Sequence, residues 1–236
     1  MISLQQFFAC SLPKRHSEPE YNEDWFLSSP SAVVISDGAS DSYDSRTLAR
    51  LICEDWIEQQ NPRLRLNHLV DLFEKHYAGK TRNWSDEGAL ARGSFATALG
   101  VCLEGNQMRM TAIGDSLCIH HSPADRSYDS FPMRNPEEID PRPTLISSRH
   151  DLNKEIRRSH VFRASRAVRK GDRLLLMTDA LAGWFFSKED RFITLESLES
   201  INSSNMFQEF VDQLRDACEL KNDDTTLAHI EIIDAA

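Results

Sequence analysis

Ala32-Val33-Val34-Ile35-Ser36-Asp37-Gly38-Ala39-Ser40 is an apolar run that stops abruptly at a carboxylate and a glycine. Four consecutive apolar residues with a polar stop read as a buried strand, and Gly38 lets the backbone turn sharply and approach a ligand closely. Taken alone, this is an Asp-Gly turn. It gains meaning from repetition, because Arg173-Leu174-Leu175-Leu176-Met177-Thr178-Asp179 is a second apolar strand that ends at an aspartate. Acids border strands in two further places. Glu23 and Asp24 run into Trp25-Phe26-Leu27, and Asp223 and Asp224 precede a closing strand over Leu227–Ile233. If the four ends converge, their repulsion can be relieved only by protonation or by cations. An oxygen-rich site of that kind suits Mg²⁺ or Mn²⁺ rather than zinc or copper. The alternative is that each acid serves a turn or a helix cap.

Outward from these stretches the periods alternate. A first strand is predicted near residues 3 to 11, and Ser28-Ser29-Pro30 turns the Trp25 segment into the Val33 strand as a hairpin with acids at one end. From Asp44 to Gln60, Leu48, Leu51, Ile52, Trp56 and Ile57 recur at helical spacing, with Asp44 or Ser45 as cap and Pro62 as stop. A second helix carries Leu69, Val70, Phe73 and Tyr77 on one stripe and ends at Gly79; His68 and His76 beside it are assigned no chemistry. After a polar segment with helical character over 84–92, Gly93 to Leu103, Met108 to Ile113 and Leu117 to His121 read as an antiparallel meander. Its Gly114-Asp115-Ser116 turn is expected to support the sheet. His120 and His121 fall on opposite faces of a strand and cannot form one metal site together. Residues 122 to 159, rich in Pro, Arg, Asp and Glu, read as a long irregular excursion of the kind that serves recognition. A strand over Val161 to Val168 follows, then a helix starting near Ala180 and others near 194–201 and 205–220.

Composition bounds the function. Among 236 residues, 37 acids against 27 bases give a formal charge of -10, so the mean field repels nucleic acid and anionic membranes. Cysteines 10, 53, 102, 118 and 218 are odd in number and form no Cys-x-x-Cys pair. That suggests neither a disulfide framework nor a zinc knuckle and fits a reducing cytoplasm best. Met1 to Pro13 does not read as a signal peptide, and no run has the length of a membrane span. With no linker, repeat or low-complexity tract, one domain over 1–236 is expected.

Taken in order, Asn22-Glu23-Asp24, Val34-Ile35-Ser36-Asp37-Gly38, Gly93-Ser94, Ile113-Gly114-Asp115-Ser116, Leu176-Met177-Thr178-Asp179 and Asp223-Asp224-Thr225-Thr226 resemble the metal-dependent protein phosphatases of the protein phosphatase 2C-like (PPM-type) family. The resemblance runs from about residue 3 to residue 234. It implies an α+β fold, a four-layer α-β-β-α sandwich of two mainly antiparallel sheets flanked by helices. It also implies two Mn²⁺ or Mg²⁺ ions in a cleft at one end. Asp37 would bridge both ions, the Gly38 carbonyl would bind one, Asp179 and Asp223 would complete the other, and Glu23 and Asp24 would hold metal-bound waters. Two such cations lower the pKa of a bridging water, so that hydroxide attacks phosphorus in line. The implied activity is that of a hydrolase, a serine/threonine phosphatase acting on phosphoproteins in cytoplasmic signalling. It would oppose a serine/threonine kinase and work as a monomer, with no nucleic-acid or membrane partner.

Several positions depart from the family pattern. Pro19 stands where many members carry a phosphate-binding Arg; Lys14, Arg15 or a basic residue of the excursion (Arg134, Arg142, Arg149, Arg157, Arg158) is a substitute. Ala180 replaces a glycine. Asp224 replaces an Asn and either tightens metal binding or sits in solvent. The Asp-His pair that serves a third metal in many members is not recognisable in 122–159, where His150-Asp151 is reversed. Besides the enzyme, two readings stay open: a pseudophosphatase that regulates a signalling partner without turnover, and hydrolysis of a small phosphoester.

Overall fold

The computed structural model describes residues 2–40, 42–59, 63–79 and 84–235. Strand β3 (Ala32–Ser36) shows how the layers arise. All five of its residues are buried, yet they face two ways. Val33 and Ile35 enter one apolar cluster with Leu174, Leu176 and Ile230, whereas Ala32 and Val34 join another with Trp56 of α1 (Ser45–Gln59). A strand covered on both faces loses the polar alternation of a half-exposed one, which is why it reads as a continuous apolar run.

β3 pairs with β2 (Trp25–Ser29) and β5 (Ala98–Glu104) in a five-stranded sheet of order β10-β6-β5-β3-β2, where β6 is Gln107–Ile113 and β10 is Phe162–Ala167. The second sheet has order β1-β12-β11-β7-β8, built from β1 (Ile2–Leu12), β7 (Leu117–Ser122), β8 (Ser127–Phe131), β11 (Arg173–Met177) and β12 (Thr225–Asp234). Every pairing in both sheets is antiparallel. Leu174 and Leu176 face the first sheet; Leu175 and Met177 face outward to α5 (Asp179–Ser187), α6 (Arg191–Ser200) and α7 (Ser204–Asp216). Helices α1 and α2 (Leu66–Tyr77) cover the other outer face, with Leu48, Ile52, Leu69 and Phe73 buried beneath them. Two antiparallel sheets back to back between helices make the α-β-β-α sandwich. Among the described residues no helix is long and apolar enough to cross a membrane.

Asp44 caps α1, accepting a hydrogen bond from the Thr47 amide at 3.1 Å; the Pro62 stop lies outside the described residues. Helix α2 closes before Gly79, and α3 covers Trp84–Arg92.

Two expectations need correction. Residues 93 to 121 are not one meander, because β6 pairs with β10 while β7 belongs to the other sheet. Gly114-Asp115-Ser116 therefore crosses between the sheets. Gly114 makes the crossing with φ at +102°, and an added Cβ would lie 2.6 Å from Thr97 Cγ2, so only glycine fits. The excursion over 122–159 is also less irregular than its composition suggests. It contains edge strand β8, a two-residue ribbon of β9 (Ile146–Ser147) with β4 (Phe95–Ala96), and α4 (His150–Asn153). Its few apolar residues suffice for an edge, where one side of the strand faces solvent.

Candidate metal centre

Strand ends bring five aspartates into mutual electrostatic reach. Asp37 follows β3, Asp179 opens α5 directly after β11, Asp223 precedes β12, Asp24 precedes β2, and Asp115 sits on the crossing between sheets. Burial, and then the charges of Asp24, Asp179, Asp115 and Asp223, hold the Asp37 carboxyl well above the usual carboxylate range. Asp24 is 3% exposed, and burial, with the Asp224 and Asp179 charges, pushes its pKa up to about 8 against the opposing effect of two hydroxyl donors. Asp115 rises to about 6, from burial and then the Asp179 charge.

The surroundings fix these groups. The Asp37 amide donates to Thr97 Oγ1 at 2.9 Å and the Thr97 amide donates to the Asp37 carbonyl at 2.8 Å, while Thr97 Oγ1 lies 3.0 Å from Ser116 Oγ. Gly38 has no room for a side chain: a Cβ there would meet the Glu23 carbonyl and Ser45 Cβ, each at 2.8 Å. Thr178 and Thr226 donate to Asp24 Oδ2 at 3.0 and 2.7 Å, whereas Asp24 Oδ1 is buried without a hydrogen-bond partner. Asp179 in the first turn of α5 benefits from the helix dipole. The donor set of carboxylate and carbonyl oxygens, with no sulfur or imidazole, fits a hard divalent cation, and the orphaned Asp24 oxygen is the kind of atom such a site satisfies.

Glu23 has partners of its own. Lys14 Nζ lies 3.1 Å from its Oε2, and the Ser45 hydroxyl donates to its Oε1. Lys14 also reaches Ser40 Oγ at 2.7 Å, at the edge of a cleft of about 740 Å³ that Arg15, Glu18, Tyr21 and Arg46 help to line. Pro19 starts a single 3-10 turn beside this cleft. The excursion arginines with side-chain contacts are engaged elsewhere. Arg149 bonds to Asp151 at 2.8 and 3.0 Å and to the Ala91 carbonyl, and Arg134 lies 3.8 Å from Asp129. His150 faces Asp71 at 3.4 Å, so the reversed His-Asp pair is spent on other partners. Asp71, Glu74 and His150 form a separate grouping of close donor atoms between α2 and α4.

Two departures from the family pattern have physical explanations. Ala180 is a buried helical residue with ordinary backbone, which needs no glycine. Asp224 neither sits in solvent nor faces the other acids as a free charge. It is 4% exposed, and its two oxygens accept the amides of Lys14 and Glu23, each at 2.7 Å, tying the loop after β1 to the acid segment before β2.

Several residues of the site carry no strong sequence signal. Arg215 of α7 donates to the Asp223 carbonyl at 2.6 Å and the Pro13 carbonyl at 3.2 Å, clamping the turn that presents Asp223. Lys221 places Nζ 2.9 Å from Asp179 Oδ2 and 2.7 Å from Asp223 Oδ2. Burial acts to lower the Lys221 pKa, but the hydrogen bonds and charges of Asp223 and Asp179 prevail and raise it. Thr178 and Thr226 could have been found as hydroxyl residues flanking the strand-end acids.

No protein-family model and no curated protein matches the sequence. The fold does match solved structures. The serine/threonine phosphatase PstP/Ppp of Mycobacterium tuberculosis superposes with a TM-score of 0.64 at 17% identity, over 99% of this chain and 100% of that one. The catalytic domain of PstP in complex with two manganese ions gives 0.61 at 18%, over 99% and 100%. PppA, a regulatory component of the type VI secretion system of Pseudomonas aeruginosa, gives 0.60 at 17%, over 98% and 100%. With five strand-end aspartates at one end of an α-β-β-α sandwich and this likeness across nearly its whole length, the chain carries the fold of the protein phosphatase 2C-like family.

Proposed function

We propose that the chain is a metal-dependent phosphatase that removes phosphate from phosphoserine or phosphothreonine of proteins. The observation that carries this reading is the gathering of Asp24, Asp37, Asp115, Asp179 and Asp223, in which burial and the neighbouring charges raise the proton affinity of Asp24, Asp37 and Asp115. A scaffold gains nothing from collecting carboxylates that repel, whereas a cation site requires them. In this reading Asp37 would serve two Mn²⁺ or Mg²⁺ ions, the Gly38 carbonyl one of them and Asp179 and Asp223 the other, and Asp24 and Glu23 would hold water around them. Two divalent cations held there would lower the pKa of water and offset charge on the phosphoryl oxygens.

The chain's own residues supply the positioning. Thr178 and Thr226 hold Asp24 by one oxygen and leave the other buried without a partner. Thr97 fixes the Asp37 backbone from both sides, so that its carboxylate and the next carbonyl are presented together. Lys14 and Arg15, at the cleft beside Glu23, take the phosphate-binding role of the arginine that Pro19 replaces. The acidic mean charge and five free cysteines support a cytoplasmic protein; the same reading has it act as a monomer against a serine/threonine kinase.

Pro19 is the observation that favours a second reading, a pseudophosphatase that binds a signalling partner without turnover. One experiment separates the two. Mn²⁺-dependent hydrolysis of para-nitrophenyl phosphate and of a phosphothreonine peptide is compared in the wild type, Asp37→Asn and Asp179→Asn. The expected result is chelator-sensitive turnover in the wild type and a loss of roughly 10²-fold or more in each variant. Folded wild-type protein that binds Mn²⁺ in calorimetry yet turns over neither substrate would leave the pseudophosphatase.

A further inference from the structure

The turn between α7 and β12 carries a cation to two of the clustered aspartates. Lys221 extends from this turn, and its ammonium meets one oxygen of Asp179 and one of Asp223, two carboxylates delivered by different elements. The turn itself is held: the Asp223 amide donates to the Lys221 carbonyl at 3.0 Å, and Arg215 holds the Asp223 carbonyl. Of the other cations nearby, Lys14 is turned to Glu23 and Ser40, and Arg215 bonds to backbone and hydroxyl oxygens. Lys221 is therefore the group that offsets the charge of Asp179 and Asp223.

We propose that Lys221 is a resident counter-ion of the metal centre, and that a divalent cation using both Asp179 and Asp223 must displace it. This inference rests on the metal reading given above. An oxygen engaged by an ammonium keeps only part of its donor capacity, and a second positive charge at the same place is repelled. The Lys221 side chain is 62% exposed and can swing into solvent, so displacement costs an ion pair rather than a fold. The two cation positions become unequal: the one at Asp37 and the Gly38 carbonyl is free of Lys221, and the one at Asp179 and Asp223 is in competition with it. Lys221 also makes the metal-free fold tolerable, because it stands between acids that otherwise repel.

Calorimetric titration of the full chain with Mn²⁺ alone tests this, in the wild type, Lys221→Met, Lys221→Arg and Lys188→Met. Lys188 pairs with Glu219 outside the site and controls for net charge. Lys221→Met is expected to tighten the weaker Mn²⁺ step about tenfold, the size of a partly exposed ion pair shared by two carboxylates, and to leave the stronger step within about twofold. Lys221→Arg keeps the weak step weak. In chelator, Lys221→Met also melts below the wild type, while in saturating Mn²⁺ the order reverses; Lys221→Gln carries the same test if the methionine variant does not fold. Unchanged Mn²⁺ constants in Lys221→Met, or equal tightening in Lys188→Met, would overturn the counter-ion while the metal reading stands. No Mn²⁺ binding by either the wild type or Lys221→Met would overturn both.

Discussion

Asp172 and Asp24 are each 3% exposed, and the molecule treats them in opposite ways. Asp172 directly precedes β11. It is met by His120 Nε2 at 2.9 Å, the Ser122 hydroxyl at 2.7 Å and the Arg169 amide at 3.1 Å. At the far end of the same strand, Asp179 joins Asp24, Asp37, Asp115 and Asp223, and Asp24 keeps one oxygen without a partner. One end of the sandwich neutralises its buried charge with donors of its own; the other gathers five acids, offsets Asp179 and Asp223 with Lys221 and leaves one Asp24 oxygen without a partner. Burial of an acid is therefore uninformative by itself; what distinguishes a structural carboxylate from a ligand is the set of donors that meets it.

The largest effect that this contrast predicts is at the satisfied end. Asp172→Ala strips the acceptor from His120, Ser122 and the Arg169 amide at once, and leaves the Ser122 hydroxyl only the long Asp125 contact at 3.4 Å and the Arg169 guanidinium at 3.0 Å. The cost should be about 4 kcal/mol, or roughly 10 °C in melting temperature for a chain of this length. Urea unfolding in chelator measures it. A loss under about 1 kcal/mol would mean that this network is decoration and that the two ends are alike.

Asp24→Asn should act in the opposite direction. Folded Asp24 holds its proton up to about pH 8, whereas the unfolded chain releases it near 3.8. Between those values the folded state binds more protons, so the metal-free protein loses stability as pH rises through the window. Asparagine still accepts from Thr178 and Thr226 but carries no charge. In chelator at pH 8 the variant should gain on the order of 2 kcal/mol over the wild type, a gain that shrinks toward pH 5. Destabilisation at pH 8 would show that Asp24 belongs with Asp172 after all.

How much of this contrast is legible in the sequence depends on what each signal encodes. Asp37 and Asp179 are readable because a strand buried on both faces leaves an unbroken apolar run, and its stop marks the sheet's end. Asp115 is not. Gly114-Asp115-Ser116 announces a turn, but nothing local says that the turn leaves one sheet for the other, because a strand's period does not name its partner. Asp223 and Asp224 differ by one position and by role, one facing Lys221 and the other capping the Lys14 and Glu23 amides, a division set by side-chain direction within a turn. Strand β8 hides in a polar segment because an edge needs few apolar residues. Lys221 hides because a long, exposed side chain reaches its partners through rotamers that spacing does not specify.

The smallest effect concerns His229, which lies on β12 opposite Leu175, in the sheet that also carries Asp172. It is 1% exposed and neither ring nitrogen has a hydrogen-bond partner, so it departs from the pattern of its own region. The carboxylate that could accept from it, Glu199, is already shared by His121 Nδ1 and Arg173, both at 2.6 Å. Burial first, and then the charges of Arg173 and His121 against the pull of Glu199, lower the His229 pKa to about 4 from 6.5. The unfolded chain therefore takes up a proton that the folded one refuses, and stability is lost as pH falls from 6.5 toward 4. His229→Leu removes that difference and leaves the His121–Glu199–Arg173 pairing in place. Between pH 7 and pH 5 the wild type should lose about 1 to 2 kcal/mol more than the variant in chemical denaturation. Parallel curves for the two proteins would mean that His229 finds a proton acceptor in solution, which would bring it back into the pattern that Asp172 defines.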